Sequence, residues 1–361
     1  MKGDEMSSTF GSKLKVQIFG QSHAKGLGVV MDGIPAGLKI DLEEVQRFLD
    51  RRAGCKNAYS TARKEADTPT ILSGLVGDTT CGAPLCAIFE NANTRSGDYD
   101  KLQGNLRPSH ADYAAWVKYN GFQDKSGGGQ FSGRLTLPLC FAGAVCIQLL
   151  RQQGIHVYSH ILSIGDIRDE KYDLVNINAK TYEPGEFPTL SSEVGDRMVD
   201  FMTQVAKEGD SVGGIVECAF TGMPVGVGEP IYDNVESCIS HVMFGVPAVK
   251  GIEFGMGFDG VKQRGSQCND AFYLDGDIVK TKTNNSGGIQ GGITNGMPVV
   301  FRVALKPTPS IYKAQDTVNF RDKKEVNFQI EGRHDPCIVP RALPGVEAAA
   351  AVALYDLLLQ K

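Results

Sequence analysis

The sequence predicts an α+β chain: a single large domain over residues 1–361, built as a β-α-β sandwich of two halves related by an approximate two-fold, with helices packed between antiparallel sheets. Three observations carry this expectation. Short apolar runs bounded by glycine and proline, the pattern of strands, recur on both sides of the chain's middle. Longer stretches of helical period separate them. The second half also replays the order of the first, so residues roughly 14–154 and 210–361 read as an internal pseudo-repeat, far longer than a solenoid period.

Taken in order, KLKVQIFG (13–20) and GLGVVMDGI (26–34) alternate or run apolar as strands do, around the turn Gly20-Gln21-Ser22-His23-Ala24-Lys25-Gly26. DLEEVQRFLDRR (41–52) reads as a helix with Asp41 as N-cap, Glu44 as its capping-box partner, and Leu42, Val45, Phe48 and Leu49 on one face. Arg47, Arg51 and Arg52 gather toward its C-terminal end, and Lys56, Arg63 and Lys64 continue the basic run. Strands follow at TPTILSGLV (68–76) and APLCAIFEN (83–91), then a helix at CFAGAVCIQLLRQQ (140–153) closed by Gly154. Residues 155–190 read as connection with one strand. SSEVGDRMVDFMTQVAKEG (191–209) is amphipathic, with Val194, Met198, Phe201, Met202 and Val205 as its apolar stripe. The replay begins at the strand GGIVECAF (213–220), followed by a helix capped by Asp233; SGGIQGGITNGMPVVFRVALK (286–306) echoes the earlier strand pair, and an Ala-rich helix ends the chain.

Composition narrows the function. With 42% hydrophobic and 22% charged residues the chain has material for a large core, and 43 glycines without a collagen-like period point to many turns and close backbone approaches. A formal net charge of −5 argues against nucleic-acid and membrane-surface roles, so any bound anion must be held by local basic clusters. No apolar run reaches the roughly 18 residues of a membrane span, and MKGDEMSSTF has no signal-peptide apolar core, so a cytoplasmic protein is expected. Nine scattered cysteines, without CxxC or His-spaced zinc patterns, suit small buried hydrophobes and no metal.

The densest chemistry lies in LRPSHADYAAWVKYNGFQDKSGGGQFSGR (106–134): Arg107, His110, Asp112, a run of three glycines and Arg134. Glycines let backbone N–H groups approach phosphate oxygens, arginines grip carboxylate or phosphate with paired donors, and a histidine exchanges protons near neutral pH. The same residues also suit plain turns, and His23 on its glycine-bounded turn either faces a cleft or bonds its own backbone.

Nine motifs in register close the choice: GQSHAKGLGVVMDGIPAG, RPSHADY, GGGQFSGR, EGDSVGG, GVGEP, RGSQCND, NNSGGIQGGITNG, ALKPTPSI and GRHDPCIVPRALP, spread from residue 20 to 344. Together they closely resemble the chorismate synthase family over nearly the whole chain. The resemblance implies 1,4-elimination of phosphate from 5-enolpyruvylshikimate 3-phosphate (EPSP), giving chorismate, with reduced FMN and no net redox change. It implies that His23, with Ser22 beside it, serves the leaving phosphate, that His110 shares a proton with flavin N1, and that Asp335 accepts the proton from flavin N5. Substrate anions fall to Arg52, Arg107, Arg134, Ser132 and Arg333. FMN falls to Gln130, Phe131, Ser132, Pro247, Ala248, Gly291, Lys306, Pro307, Thr308, Pro309, Ser310 and Arg333. The family further implies a homotetramer; self-reduction of the flavin with NADPH stays open, and the lack of a large insertion of the kind expected for an added reductase favours an external flavin reductant, NADPH acting only indirectly.

Four departures from the family pattern touch binding. Gln130-Phe131 stands where Arg-Ser is frequent, Pro247 replaces an asparagine, Pro309 replaces a serine, and the loop after Arg52 lacks a further arginine that Lys56 or Arg63 replaces. A non-catalytic anion binder is the alternative; a Cys/His hydrolase using Cys337 has no nucleophile motif to support it.

Overall fold

The computed structural model describes residues 8–53, 67–91, 104–124, 126–330 and 334–361. In chain order the first half carries β1 (Thr9–Phe10), β2 (Lys15–Gly20), β3 (Gly26–Asp32), α1 (Leu42–Arg52), β4 (Thr70–Ser73), β5 (Leu75–Val76), β6 (Thr79–Thr80), β7 (Leu85–Glu90), α2 (Asp112–Lys118) and α3 (Thr136–Arg151). The second half carries β8 (His156–Ile164), β9 (Ile167–Arg168), α4 (Ser192–Lys207), β10 (Gly214–Thr221), α5 (Val235–Met243), β11 (Val249–Phe254), α6 (Gly265–Cys268), β12 (Phe272–Asp275), β13 (Ile278–Thr281), β14 (Ile289–Gln290), β15 (Ile293–Thr294), β16 (Val299–Leu305), β17 (Gln315–Asn319), β18 (Lys324–Phe328) and α7 (Val339–Gln360).

Two antiparallel five-stranded sheets result, ordered β1-β2-β3-β7-β4 and β11-β16-β10-β8-β9. Between them lie α3, which touches β2, β3, β7 and β8, and α7, which covers β8 and β10. The two helices pack most extensively on each other. At their crossing a Cβ on Gly143 would stand 2.2 Å from the Ala348 backbone, so only glycine permits this approach. By length and hydropathy α3 and α7 could each cross a membrane, contrary to the expectation from apolar run length. Here they are covered on both sides, the position of core helices.

Helix ends show where local reading holds and where distant contacts override it. Asp41 caps α1 by accepting from Glu44 N at 2.9 Å. The capping box is incomplete, because Glu44 turns away to pair with both Nη atoms of Arg151, at 2.7 and 2.6 Å, and Asp41 N donates instead to Gln148 Oε1. Asn234, not Asp233, caps α5. The helix read from Cys140 begins at Thr136, since Pro138 falls in its first turn, where no intrahelical N–H is needed. Deep in α7, Asp356 accepts the N–H groups of Ser12, Lys13 and Leu14 at 2.7–2.9 Å, fastening the start of the chain to its last helix. Glu347, also in α7, receives both Nη atoms of Arg51, at 2.9 and 2.7 Å, and so fixes the end of α1.

The second sheet buries a charge cluster of its own. His160 Nε2 lies 2.9 Å from Glu217 Oε2 and its Nδ1 3.5 Å from Asp169, while Arg302 bridges Glu217 at 3.1 Å and Glu253 at 2.5 Å. Burial opposes the imidazolium, yet the Asp169 and Glu217 carboxylates prevail and raise the His160 pKa above its ordinary value. A raised folded-state pKa gives stability that is complete below the unfolded value of about 6.5 and fades as pH climbs through the folded value. The melting temperature is therefore expected to fall as pH rises above about 6.5, and His160→Phe to flatten that fall; an unchanged slope by calorimetry would contradict the assignment.

Candidate active site

The turn between β2 and β3 carries Ser22 and His23. Ser22 is buried, and its Oγ stands 2.9 Å from His23 Nδ1, which orients the imidazole. The glycine run closes over this turn: Ser22 N donates to Gly129 O at 3.2 Å, and a Cβ on Gly127 would fall 2.4 Å from the His23 ring. Glycine at 127, with φ +67, is thus required both by backbone conformation and by contact with the catalytic candidate.

Gly127 also joins His23 to the second histidine. Its carbonyl accepts from Arg107 Nη2 at 3.2 Å, and Arg107 grips Asp112 through Nε at 2.9 Å and Nη2 at 2.6 Å. Asp112 Oδ1 in turn lies 2.6 Å from His110 Nδ1. A carboxylate at that distance accepts a hydrogen bond from Nδ1–H, which leaves Nε2 as the nitrogen able to exchange a proton with a ligand. Burial opposes the Asp112 charge, but the bonds from Arg107 and His110 outweigh it and hold the carboxyl well below the usual carboxylate range.

A chain of arginines links the remaining predicted residues. Arg134 Nε donates to Asn91 Oδ1 at 3.3 Å, and Asn91 Nδ2 donates to the carbonyls of Gln21 and Ala24 on the His23 turn. Arg134 Nη1 and Arg52 Nη2 meet opposite oxygens of Asp67. Arg341 Nε reaches the Arg52 carbonyl at 3.3 Å, and its Nη1 pairs with Asp335 at 2.6 Å. Burial, then the Arg341 and Arg134 charges, push the Arg52 guanidinium down to about 10 against the pull of Asp67. Ser132 sets Arg134 by capping the tight turn Gly133–Leu135, its Oγ accepting from Arg134 N at 3.2 Å.

Lys306 closes the ring from the other sheet. At the end of β16, its Nζ donates to Ser109 O at 2.8 Å, beside His110, and its N donates to Ala248 O at 2.9 Å. Ala248 holds φ +73, a left-handed conformation uncommon for a residue with a side chain, and follows Pro247 in the turn leading into β11. Residues 307–310 continue without regular structure, pinned where Ser211 Oγ donates to Thr308 O at 2.7 Å; Ser310 is buried, while Pro307 is exposed and Pro309 half-buried. His334, its ring 5.6 Å from that of Tyr312, is pushed below the ordinary histidine value by burial and by Arg107.

These contacts bring Ser22, His23, Arg52, Arg107, His110, Ser132, Arg134, Lys306 and Asp335 into one connected network. Gln130 lies in the tight turn Gly129–Phe131, and Phe131 is partly exposed with its ring 6.3 Å from that of Tyr119. Gly291 sits on the β14–β15 hairpin, tied to another segment through Val235 N donating to Gly292 O. Arg333, Lys56, Arg63 and Lys64 lie outside the described residues.

Residues 14–359 match the family model described as chorismate synthase. The chain belongs to the chorismate synthase family. A chorismate synthase of Dehalococcoides mccartyi strain BAV1 is 42% identical over 357 residues, 98% of this chain and 97% of the relative. One of Pyrococcus abyssi is 44% identical over 351 residues, 97% of each, and one of Lachnoclostridium phytofermentans 46% over 354 residues, 98% of this chain and 95% of the relative. A crystal structure of chorismate synthase superposes with a TM-score of 0.75 at 29% identity, over 97% of this chain and 93% of that one. The activity is that of chorismate synthase, a carbon–oxygen lyase acting on a phosphate in aromatic biosynthesis.

Asp67, Asn91 and Arg341 were not among the residues the sequence singled out for chorismate synthase chemistry. Each acts by holding a residue that was, and the one local signal was the place of Arg341 within GRHDPCIVPRALP. Asp112, noted as a carboxylate, proves to be the partner of His110. Asp112→Asn is expected to lower kcat on the order of tenfold or more, since His110 loses the carboxylate that holds its ring. An unchanged kcat would leave Asp112 with a purely structural role.

Proposed function

We propose that the protein binds EPSP and reduced FMN in this network and eliminates phosphate from EPSP there. The observation that carries the reading is the convergence of both histidines, Asp335 and the buried arginines, drawn from loops far apart in sequence, through Gly127, Asp67 and Arg341.

The residues suit a flavin mononucleotide. Lys306 bonds a neutral carbonyl, so its charge remains for a phosphate. Thr308 Oγ1 and His334 Nε2 are buried and lack a hydrogen-bond partner among the described residues, which is costly unless a polar ligand meets them. Lys306, Thr308 and Ser310, with the Ala248 turn, would hold the cofactor. Reduced FMN, when bound, supplies electron density and a basic ring nitrogen that protein side chains lack.

The remaining work belongs to the chain. Arg52 and Arg134 offer guanidiniums to the substrate's anionic groups, where lysine would be a poorer match. His23, with Nδ1 held by Ser22, presents Nε2 as proton donor to the departing phosphate, whose growing charge is the main electrostatic demand of the reaction. His110 keeps one nitrogen on Asp112 and exchanges a proton through the other. Asp335, aligned by Arg341, is a carboxylate able to take up a proton. The exposed apolar hairpin β12–β13, with Phe272, Leu274 and Ile278 largely in water, supports the reading of a homotetramer, which would cover it.

Anaerobic mixing of the protein with EPSP and chemically reduced FMN is expected to yield phosphate and chorismate in equal amounts. His110→Ala and Asp335→Ala are each expected to lower kcat on the order of 10²-fold or more without loss of fold by circular dichroism. Full activity in either variant would refute its assigned role.

A further inference from the structure

Arg52 and Arg134, read above as grips for the substrate's anionic groups, already meet an anion of the protein itself. Asp67 places Oδ1 on Arg134 Nη1 and Oδ2 3.3 Å from Arg52 Nη2, straddling the two guanidiniums as a phosphate or carboxylate would. We propose that Asp67 is an internal competitor for the substrate: its carboxylate and a ligand's anionic group take the same arginine donors, so the ligand enters by displacing it. The proposal rests on the assignment of Arg52 and Arg134 to anion binding.

Burial supports displacement over simple addition. Arg52, Asp67 and Arg134 are 3%, 7% and 8% exposed, so a ligand cannot pass between the guanidiniums while Asp67 stands there. Charge supports it as well. Arg341 adds a third cation at the Arg52 carbonyl, and against these three guanidiniums the ion pairs among the described residues set two carboxylates, Asp67 and Asp335. Arg52 Nε, buried, has no hydrogen-bond partner among the described residues, so donor capacity exceeds what Asp67 satisfies. A dianionic group would replace the single charge of Asp67 with a closer balance.

The backbone offers the means of release. Asp67 holds φ +45, a left-handed conformation that is strained in a residue with a side chain and persists only where contacts impose it. It lies ahead of β4 in no helix or strand, so withdrawal of the carboxylate would disturb no backbone ladder. Loss of its ion pairs would relieve the strain and partly offset the cost of breaking them.

Equilibrium binding of inorganic phosphate, and separately of EPSP with oxidised FMN to prevent turnover, tests this on the full chain. Asp67→Asn is expected to bind inorganic phosphate about tenfold or more tightly than the wild type, while Asp67→Glu, which keeps the charge, stays within about threefold. The D67N protein should melt lower in the absence of phosphate and recover as phosphate is added, a titration that yields the affinity even if the variant is unstable. Equal or weaker phosphate binding by D67N would overturn the proposal and make Asp67 a fixed support for the arginines. Tighter phosphate binding with no EPSP binding in any form would uphold the competition and refute the substrate reading alone.

Discussion

Arg52, at the C-terminal end of α1, and Arg134, on the loop entering α3, are both withdrawn from water and both face Asp67. Moving a guanidinium out of water costs several kcal/mol unless a counter-charge and further hydrogen bonds meet it. That requirement fixes the ends of two helices and the approach to β4 at one place. From there Asn91 extends the network to the His23 turn, and Arg341 extends it to Asp335 at the start of α7. The His23 turn and Asp335 are thus each anchored to that charge cluster through one residue.

The scaffold makes the cluster possible. Two antiparallel sheets enclose α3 and α7, and the close crossing at Gly143 and Ala348 brings together elements that are far apart in the chain. Asp356 and Glu347 then use the same helix to secure the chain's start and the end of α1. The candidate site residues lie on turns and helix ends at the rim of this rigid core, where loops can present side chains without loss of packing. Lys306 and Ala248 come from the second sheet and His23 from the first, so a ligand between them touches both.

Much of this was legible from local pattern. The strands flanking Ser22 and His23, the cap at Asp41, the amphipathic stripe of α4 and the C-terminal helix all follow from periods and capping residues that a few neighbours decide. Glu44 was misread because its partner, Arg151, lies on another helix, and no local rule contains that contact. Asp67, Asn91 and Arg341 escaped notice for the same reason: an ion pair across the fold leaves no spacing in the sequence. The helix at Asp112–Lys118 was hidden by its brevity and its largely exposed face, and the short β17–β18 hairpin by its polar composition. The network's residues on glycine-rich motifs were recovered by resemblance, whereas the carboxylates that orient them required coordinates.

One site at the rim of the core, lined from both sheets, is proposed to take both ligands. A crystal structure with EPSP and FMN bound tests it most directly. The account predicts EPSP anions within hydrogen-bond distance of Arg52 and Arg134, the flavin phosphate on Lys306, and His23 and His110 on opposite ends of the ligand pair. Ligands in separate pockets, or either one bound away from the arginines and Lys306, would contradict it.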